Sequence, residues 1–372
     1  MDRRYAACPG MTQLTRKLAR LYGAALSVET SMQGASRVLS VSITGIKDRF
    51  ALNGEALTAE YAAIVFGVAF DPYFENGCFS REAGEIEKTT LARQLESEIN
   101  DKRLYCVRQA RRKFFGDSPA GIERDGYLAD LPSVTCESLT AAYQEMLRTA
   151  QLDVIFLGAD EDVVRRMTLE KLAGVQREPA QLENYLFMPA QPVEHFREEM
   201  DLVQAKLCML FTWNQCAKPE QLNAFRLAMS VFGGSATSRL FLNVREKQSL
   251  CYYCTARHDT PKNVMFVQSG VETKDLDRTE EALLKELNDM KKGNITDDEI
   301  LFAKLAMCNS YNAVADSAAS METWYLSGML QGKLHTPEEY AERIMNITKD
   351  EIVSAAERVT LDTVYKLKGA AK

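Results

Sequence analysis

S-R-L-F-L-N-V-R-E-K-Q-S-L-C-Y-Y-C, from Ser238 to Cys254, changes its period in the middle. Leu240, Phe241 and Val244 recur at helical spacing, a charged Arg245-Glu246-Lys247 knot follows, and Leu250 to Cys254 reads as a strand. A helix-to-strand junction presents side chains at the rim of a sheet. Arg245 and the strand-borne Tyr252 are therefore expected to face one cleft, each able to donate to a carbonyl oxygen. Cys251 and Cys254 form a C-x-x-C in the same stretch. Residues three apart on a strand point to opposite faces, so no disulfide is expected between them, and no second C-x-x-C completes a zinc site. Both read as small apolar residues packed on either side of a sheet.

Working outward from this stretch, the chain repeats itself. V-S-I-T-G-I-K-D (Val41 to Asp48) is echoed by V-Q-S-G-V-E-T-K-D (Val267 to Asp275), each a strand pattern ending near a glycine. G-C-F-S-R-E (Gly77 to Glu82) is echoed by G-N-I-T-D-D (Gly293 to Asp298), with Lys88 and Lys304 each six residues further on. V-T-C-E-S-L-T-A-A (Val134 to Ala142) parallels I-T-K-D-E-I-V-S-A (Ile347 to Ala355), both entering a helix through a capping-box pattern. Closing strands are expected at Leu152 to Ala159 and at Leu361 to Ala370. Two copies of one α+β unit thus account for nearly the whole chain. The boundaries read as residues 1–176, a linker at 177–198 holding three prolines, and residues 199–372.

The copies are unequal. The second opens with an apolar strand, Leu202 to Trp213, and a helix, Pro219 to Gly234, before it reaches Ser238. The first begins at the equivalent of that third piece, since Gly10 to Ala24 aligns with the Ser238 stretch. Without its first strand, its sheet is expected to expose unpaired backbone and an apolar face, so that a form extended upstream should be more stable, unless another chain covers the gap.

Composition bounds the partners. The 372 residues are 46% hydrophobic and 26% charged, enough for two cores of ordinary size. A net charge of −7 and a pI near 5.3 give no general reason to expect nucleic acid. The one basic run, Arg108, Arg111, Arg112 and Lys113, reads as a solvated helix face. No window approaches the ~18 apolar residues a membrane span needs, and no apolar core follows the basic N-terminus. Nine cysteines, an odd number spread over both halves, fit a reducing compartment, and a cytoplasmic location is expected.

The stretch from Ser238 to Tyr252 resembles the C-terminal half of the insulinase/pitrilysin-like zinc metallopeptidases, which include the mitochondrial processing peptidases. Ser238, Arg239, Leu240, Phe241, Arg245, Leu250 and Tyr252 match that family's pattern. The resemblance implies two homologous α/β-roll domains of the processing-peptidase type, the first truncated at its N-terminus, with Arg245 and Tyr252 binding peptide substrate. Catalytic members carry H-x-x-E-H, whose histidines hold zinc and whose glutamate activates water. Here the only histidines are His195, His258 and His335, and H-F-R-E-E at His195 is an accidental near match. The family's third ligand falls at Gln94, in E-K-T-T-L-A-R-Q (Glu87 to Gln94), and a neutral amide is a poor ligand for zinc. No metal is therefore expected on this chain, and activity alone is not. What the resemblance implies is a catalytically inactive subunit of a heterodimer, with zinc in a homologous partner and peptide in a shared chamber. The alternatives are a scaffolding homologue and, further off, a stand-alone zinc peptidase. Asn100 to Tyr105 is similar to non-catalytic bacterial members, some linked by name to modification of translation elongation factor P.

Overall fold

A computed structural model describes residues 3–182, 190–213, 219–259 and 261–369. Part of the expected linker, residues 183–189, lies outside them. In chain order the elements are α1 (Met11–Arg20), β1 (Ala25–Gln33), β2 (Ser36–Thr44), α2 (Leu57–Phe70), β3 (Phe74–Glu75), β4 (Cys78–Phe79), α3 (Arg81–Ser97), α4 (Lys102–Phe115), α5 (Cys136–Thr149) and α6 (Glu161–Ala173). They continue with β5 (Glu194–Met200), β6 (Ala205–Trp213), α7 (Pro219–Met229), β7 (Tyr253–Asp259), β8 (Val264–Val271), α8 (Leu276–Lys291), α9 (Asp297–Asn312), α10 (Ala318–Leu330), α11 (Pro337–Met345), α12 (Lys349–Glu357) and β9 (Val359–Gly369). The fold is α+β, as expected, and divides into two compact units.

The second unit is built on a five-stranded sheet in the order β5-β9-β6-β8-β7. β5 runs parallel to β9, and every other pair is antiparallel. β6 takes the centre because A-K-L-C-M-L-F-T-W is apolar on both of its faces. Leu207, Met209, Phe211 and Trp213 join a core with Phe225 of α7, Leu283 and Leu287 of α8 and Ile352 of α12. Cys208 and Leu210, on the alternate positions, face the other side. There Cys106, Ala110 and Phe115 of α4 pack against Leu210, Phe266, Tyr365 and Leu367. Residues Ser97–Ile122 consequently group with the second unit, although the sequence repeat puts them in the first half.

α4 also corrects the reading of its basic face. Arg112 and Lys113 are exposed, but Arg108 pairs with Glu98, and the Arg111 guanidinium lies 5.6 Å from the Phe115 ring and 5.7 Å from that of Phe266. Long basic stems cover apolar surface while their heads stay wet. β5 extends into residues 194–198, which the prolines had assigned to the linker. It is an edge strand with Phe196 and Met200 turned inward and charges between them, a pattern too polar to announce itself.

The first unit has a two-stranded sheet, β1-β2, and a short antiparallel ladder, β3-β4. Its core gathers Tyr5, Leu14, Leu26, Leu57, Ile64 and Val68. The Tyr5 ring lies so close to α2 at Gly67 that a β-carbon there would stand 2.4 Å from it. The repeat is visible atom by atom. Lys88 Nζ donates to the Val134 carbonyl at 2.9 Å, and Lys304 Nζ donates to the Ile347 carbonyl at 2.7 Å. The helices that follow both begin with complete capping boxes, Thr135 with Ser138 and Thr348 with Glu351.

One expected element fails to form. Leu152 to Ala159 belongs to no ladder, whereas its counterpart β9 is paired on both sides. The reason lies in the neighbour. β9 pairs with β6, and among the described residues the first unit has no strand in the β6 position. Among the described residues no helix is long and apolar enough to cross a membrane.

Candidate functional site

The Ser238 stretch is anchored from below. Ser238, buried, donates from Oγ to the Ser235 carbonyl at 2.6 Å, closing the turn that starts the helix. Arg239 is 8% exposed and fully engaged. Its Nε donates to Glu286 at 3.0 Å, and its Nη1 donates to the Asn294 carbonyl at 2.7 Å and to Glu299 at 3.1 Å. Asn243 Nδ2 donates to the same Glu286 oxygen at 2.8 Å. Glu299 in turn caps α9 through Thr296, so the helix start, α8 and α9 are tied into one charged knot. The sequence singled out Arg239 only as part of a pattern, and its two carboxylate partners were not read. They lie 47 and 60 residues away.

From this base the chain runs through a π-helical segment, Leu240–Lys247, with Leu240 and Val244 wholly buried. Arg245 emerges at its end, 39% exposed, its guanidinium 4.6 Å from the Phe241 ring and 3.6 Å from the Glu246 carboxylate. Ser249 then takes a left-handed conformation, φ 52°, and the chain reverses into the sheet. The Leu250 N–H donates to the Val244 carbonyl, and the Tyr252 N–H to that of Gly270 at 2.8 Å. Arg245 and Tyr252 therefore stand at the two ends of one short turn.

Tyr252 lies just before β7 and is 50% exposed. Its hydroxyl donates to the Glu272 carboxylate, which raises the phenol pKa above its ordinary value. The hydroxyl is a donor throughout the neutral range. Glu272 follows β8 directly, and no local pattern links it to Tyr252. The pairing of Tyr253 with Gly270 across β7 and β8 creates the link. Tyr253 itself turns the other way. Its ring covers Gly270, where a β-carbon would stand 2.4 Å from it, and the Arg103 guanidinium of α4 sits 4.4 Å from its centroid.

The cysteines correct an expectation. β7 begins at Tyr253, so Cys251 precedes the strand, and Cys251 and Cys254 pack into the same core rather than on opposite faces. The Cys254 thiol, whose Sγ is 3.0 Å from the Leu240 carbonyl, lies beside Cys251 and, with Ser269 and Arg245, holds the Cys251 thiol below its ordinary pKa. Both thiols are free.

Gln94 sits on α3, a helix with no buried residue, and its Nε2 is 3.5 Å from Asp125. The three histidines are dispersed. His195 on β5 is 3.8 Å from Glu280, His258 on β7 meets the Phe225 ring, and His335 pairs with Glu339 at 3.1 Å ahead of α11. Among the described residues no group of three or more histidine, cysteine, aspartate or glutamate side chains could hold a metal ion. What the Ser238 stretch offers is a guanidinium and a phenol at a sheet rim. Both are hydrogen-bond donors suited to a peptide carbonyl or a carboxylate.

Residues 133–307 match the family described as Peptidase M16 inactive domain. The chain is 26% identical over 364 residues to a Bacillus subtilis protein described as a probable inactive metalloprotease, YmfF, covering 97% of this chain and 85% of that one. Among solved structures, a conserved protein from Enterococcus faecalis V583 superposes with a TM-score of 0.90 at 28% identity, covering 100% of this chain and 88% of that one. A peptidase M16 inactive domain from Pseudomonas fluorescens, 15% identical over 98% of this chain and 85% of its own, shares the fold with a TM-score of 0.76.

Proposed function

We propose, from the premise that this chain belongs to the insulinase-like M16 peptidase family as an inactive homologue, that it is the non-catalytic subunit of a zinc-dependent peptidase. In this reading a zinc-bearing homologue supplies the metal, and the second unit of this chain lends Arg245 and Tyr252 to a peptide chamber shared by the two. The observation that carries the reading is an asymmetry. The Ser238 stretch is built and braced by the buried Arg239 knot, while α3 offers Gln94 where the family's third ligand falls.

The chemistry permits such a division. Hydrolysis at zinc builds negative charge on the scissile carbonyl oxygen, and donors already aimed there lower the barrier. A guanidinium and a phenol need no metal of their own, so a subunit carrying them can be required for turnover and inert alone. Because the Tyr252 proton is directed to Glu272 in the free chain, peptide binding has to redirect it. A cytoplasmic location accompanies this reading.

A second reading, a scaffolding subunit that touches no substrate, is favoured by that same engagement. Arg245 is paired with Glu246 and Tyr252 with Glu272, so neither donor stands idle. A link to elongation factor P modification would belong to this reading. The test is to purify the chain, remove any affinity tag, and measure its metal content, its peptidase activity and its co-elution with a zinc-bearing homologue from the same organism. Absence of stoichiometric zinc and of hydrolysis, with a complex on size exclusion, is expected. About one zinc per chain, or peptide cleavage by the chain alone, would overturn both readings.

A further inference from the structure

Cys251 and Cys254 flank the two tyrosines at the sheet rim, and the fold makes their thiols neighbours. The chain bends at Tyr252 before β7 starts, so a spacing of three does not carry the pair to opposite faces. Both side chains enter one core, Cys254 4% exposed and Cys251 only partly buried. The Cys254 sulfur is 3.0 Å from the Leu240 carbonyl and meets Cys251 on its other side. Three groups around Cys251 favour a thiolate there: the Cys254 thiol first, then the Ser269 side chain and the Arg245 guanidinium.

A second pair in the same unit supplies the contrast. Cys106 of α4 and Cys208 of β6 also share a core, but both are fully enclosed in it. Burial pushes both thiols up, that of Cys106 to about 12. A thiol kept neutral in apolar surroundings is inert, whereas a partly exposed one beside a cation and a second sulfur is placed to react.

We infer that Cys251 and Cys254 form a redox-active dithiol, oxidised by hydroperoxides to a disulfide that closes around Tyr252 and Tyr253. The Cys251 sulfur attacks the peroxide. An S–O bond forms, the O–O bond breaks, and the leaving hydroxide takes up the Cys251 proton as water. The Cys254 sulfur then attacks the sulfur of that sulfenic acid. The S–S bond forms, the S–O bond breaks, and the second hydroxide leaves as water with the Cys254 proton. Two electrons thus pass from the two thiols to one hydrogen peroxide. A disulfide holds its two Cα atoms within about 7 Å, so closure resets the bend that carries Tyr252 and with it the contact to Glu272. The inference rests on the thiols of this chain and holds whether or not Tyr252 meets a peptide.

The probe is hydrogen peroxide, added to the reduced full chain, with remaining thiols then blocked by iodoacetamide and the tryptic peptides weighed by mass spectrometry. Cleavage after Lys247 and Arg257 releases both cysteines in one peptide, Gln248–Arg257. That peptide is expected without alkylation and two hydrogens lighter, and dithiothreitol should reverse the change. It should form roughly tenfold faster than Cys106 or Cys208 is oxidised. In Cys254→Ser the reaction should stop at a Cys251 sulfenic acid that dimedone captures, and in Cys251→Ser dimedone should capture nothing at Cys254. The wild-type mapping decides the matter even where a variant fails to fold. Two alkylated cysteines in the peptide after peroxide, a link to another cysteine in its place, or oxidation no faster than that of Cys106 and Cys208 would overturn the inference. The Tyr252 hydroxyl, titrated by absorbance against Tyr252→Phe, should have a lower pKa in the oxidised chain, because Glu272 holds it up in the reduced one. An identical titration in both would overturn the coupling to Tyr252.

Discussion

Tyr252 and Glu272 form the pair on which the site's protonation turns. The carboxylate favours the protonated phenol, so Glu272→Gln is expected to bring the Tyr252 pKa down toward its ordinary value. Tyrosinate absorbance, taken as a difference titration against Tyr252→Phe, reads this shift, and an unmoved titration would show that the contact does not govern the hydroxyl. Arg239 carries a heavier structural load. Removing it by Arg239→Met leaves Glu286, with a side chain only 6% exposed, as an uncompensated buried charge, at a cost of about 3–5 kcal/mol. Adding Glu286→Leu should recover part of the loss in a denaturant titration; failure of the double variant to improve on the single would point to packing instead. Arg245 and Tyr252 stand out in the sequence because both belong to one contiguous pattern. Glu272, Glu286 and Glu299 do not, because each reaches its partner through sheet register or helix packing, and local spacing carries no trace of that.

Between elements, the repeat makes paired predictions. Lys88 and Lys304 each bind the carbonyl that precedes a capping box, so Lys88→Met and Lys304→Met should each lower stability by about 1–2 kcal/mol. Thermal unfolding measures both. A loss confined to one would mean that the equivalent bonds no longer do equivalent work. Where elements differed from expectation, the cause was a missing or a distant neighbour. Leu152 to Leu157 has a strand's composition but, among the described residues, no strand beside it, and an apolar run becomes a strand only when its backbone groups find partners. α4 has a basic face in sequence, yet its apolar side was claimed by a sheet formed about a hundred residues later, between Cys208 and Leu367. β5 was hidden by its charges, which an edge strand accommodates on its solvent side.

At the scale of the molecule, the α+β class and the internal duplication could be read from the chain, because both rest on periodicity and repeated local motifs. How the segments group into compact units could not, since Ser97–Ile122 joins the second unit through packing alone. The functional account makes one demand of the whole protein: that its second unit contributes donors to a reaction whose metal is elsewhere. Peptide cleavage by a zinc-bearing homologue, measured with wild-type chain, Tyr252→Phe and Tyr253→Phe alongside complex formation by size exclusion, addresses it directly. The account predicts that Tyr252→Phe assembles normally and lowers turnover by about 10²–10³, the effect of losing one such donor, while Tyr253→Phe, facing α4, changes it little. Undiminished cleavage by a fully assembled Tyr252→Phe complex would contradict it.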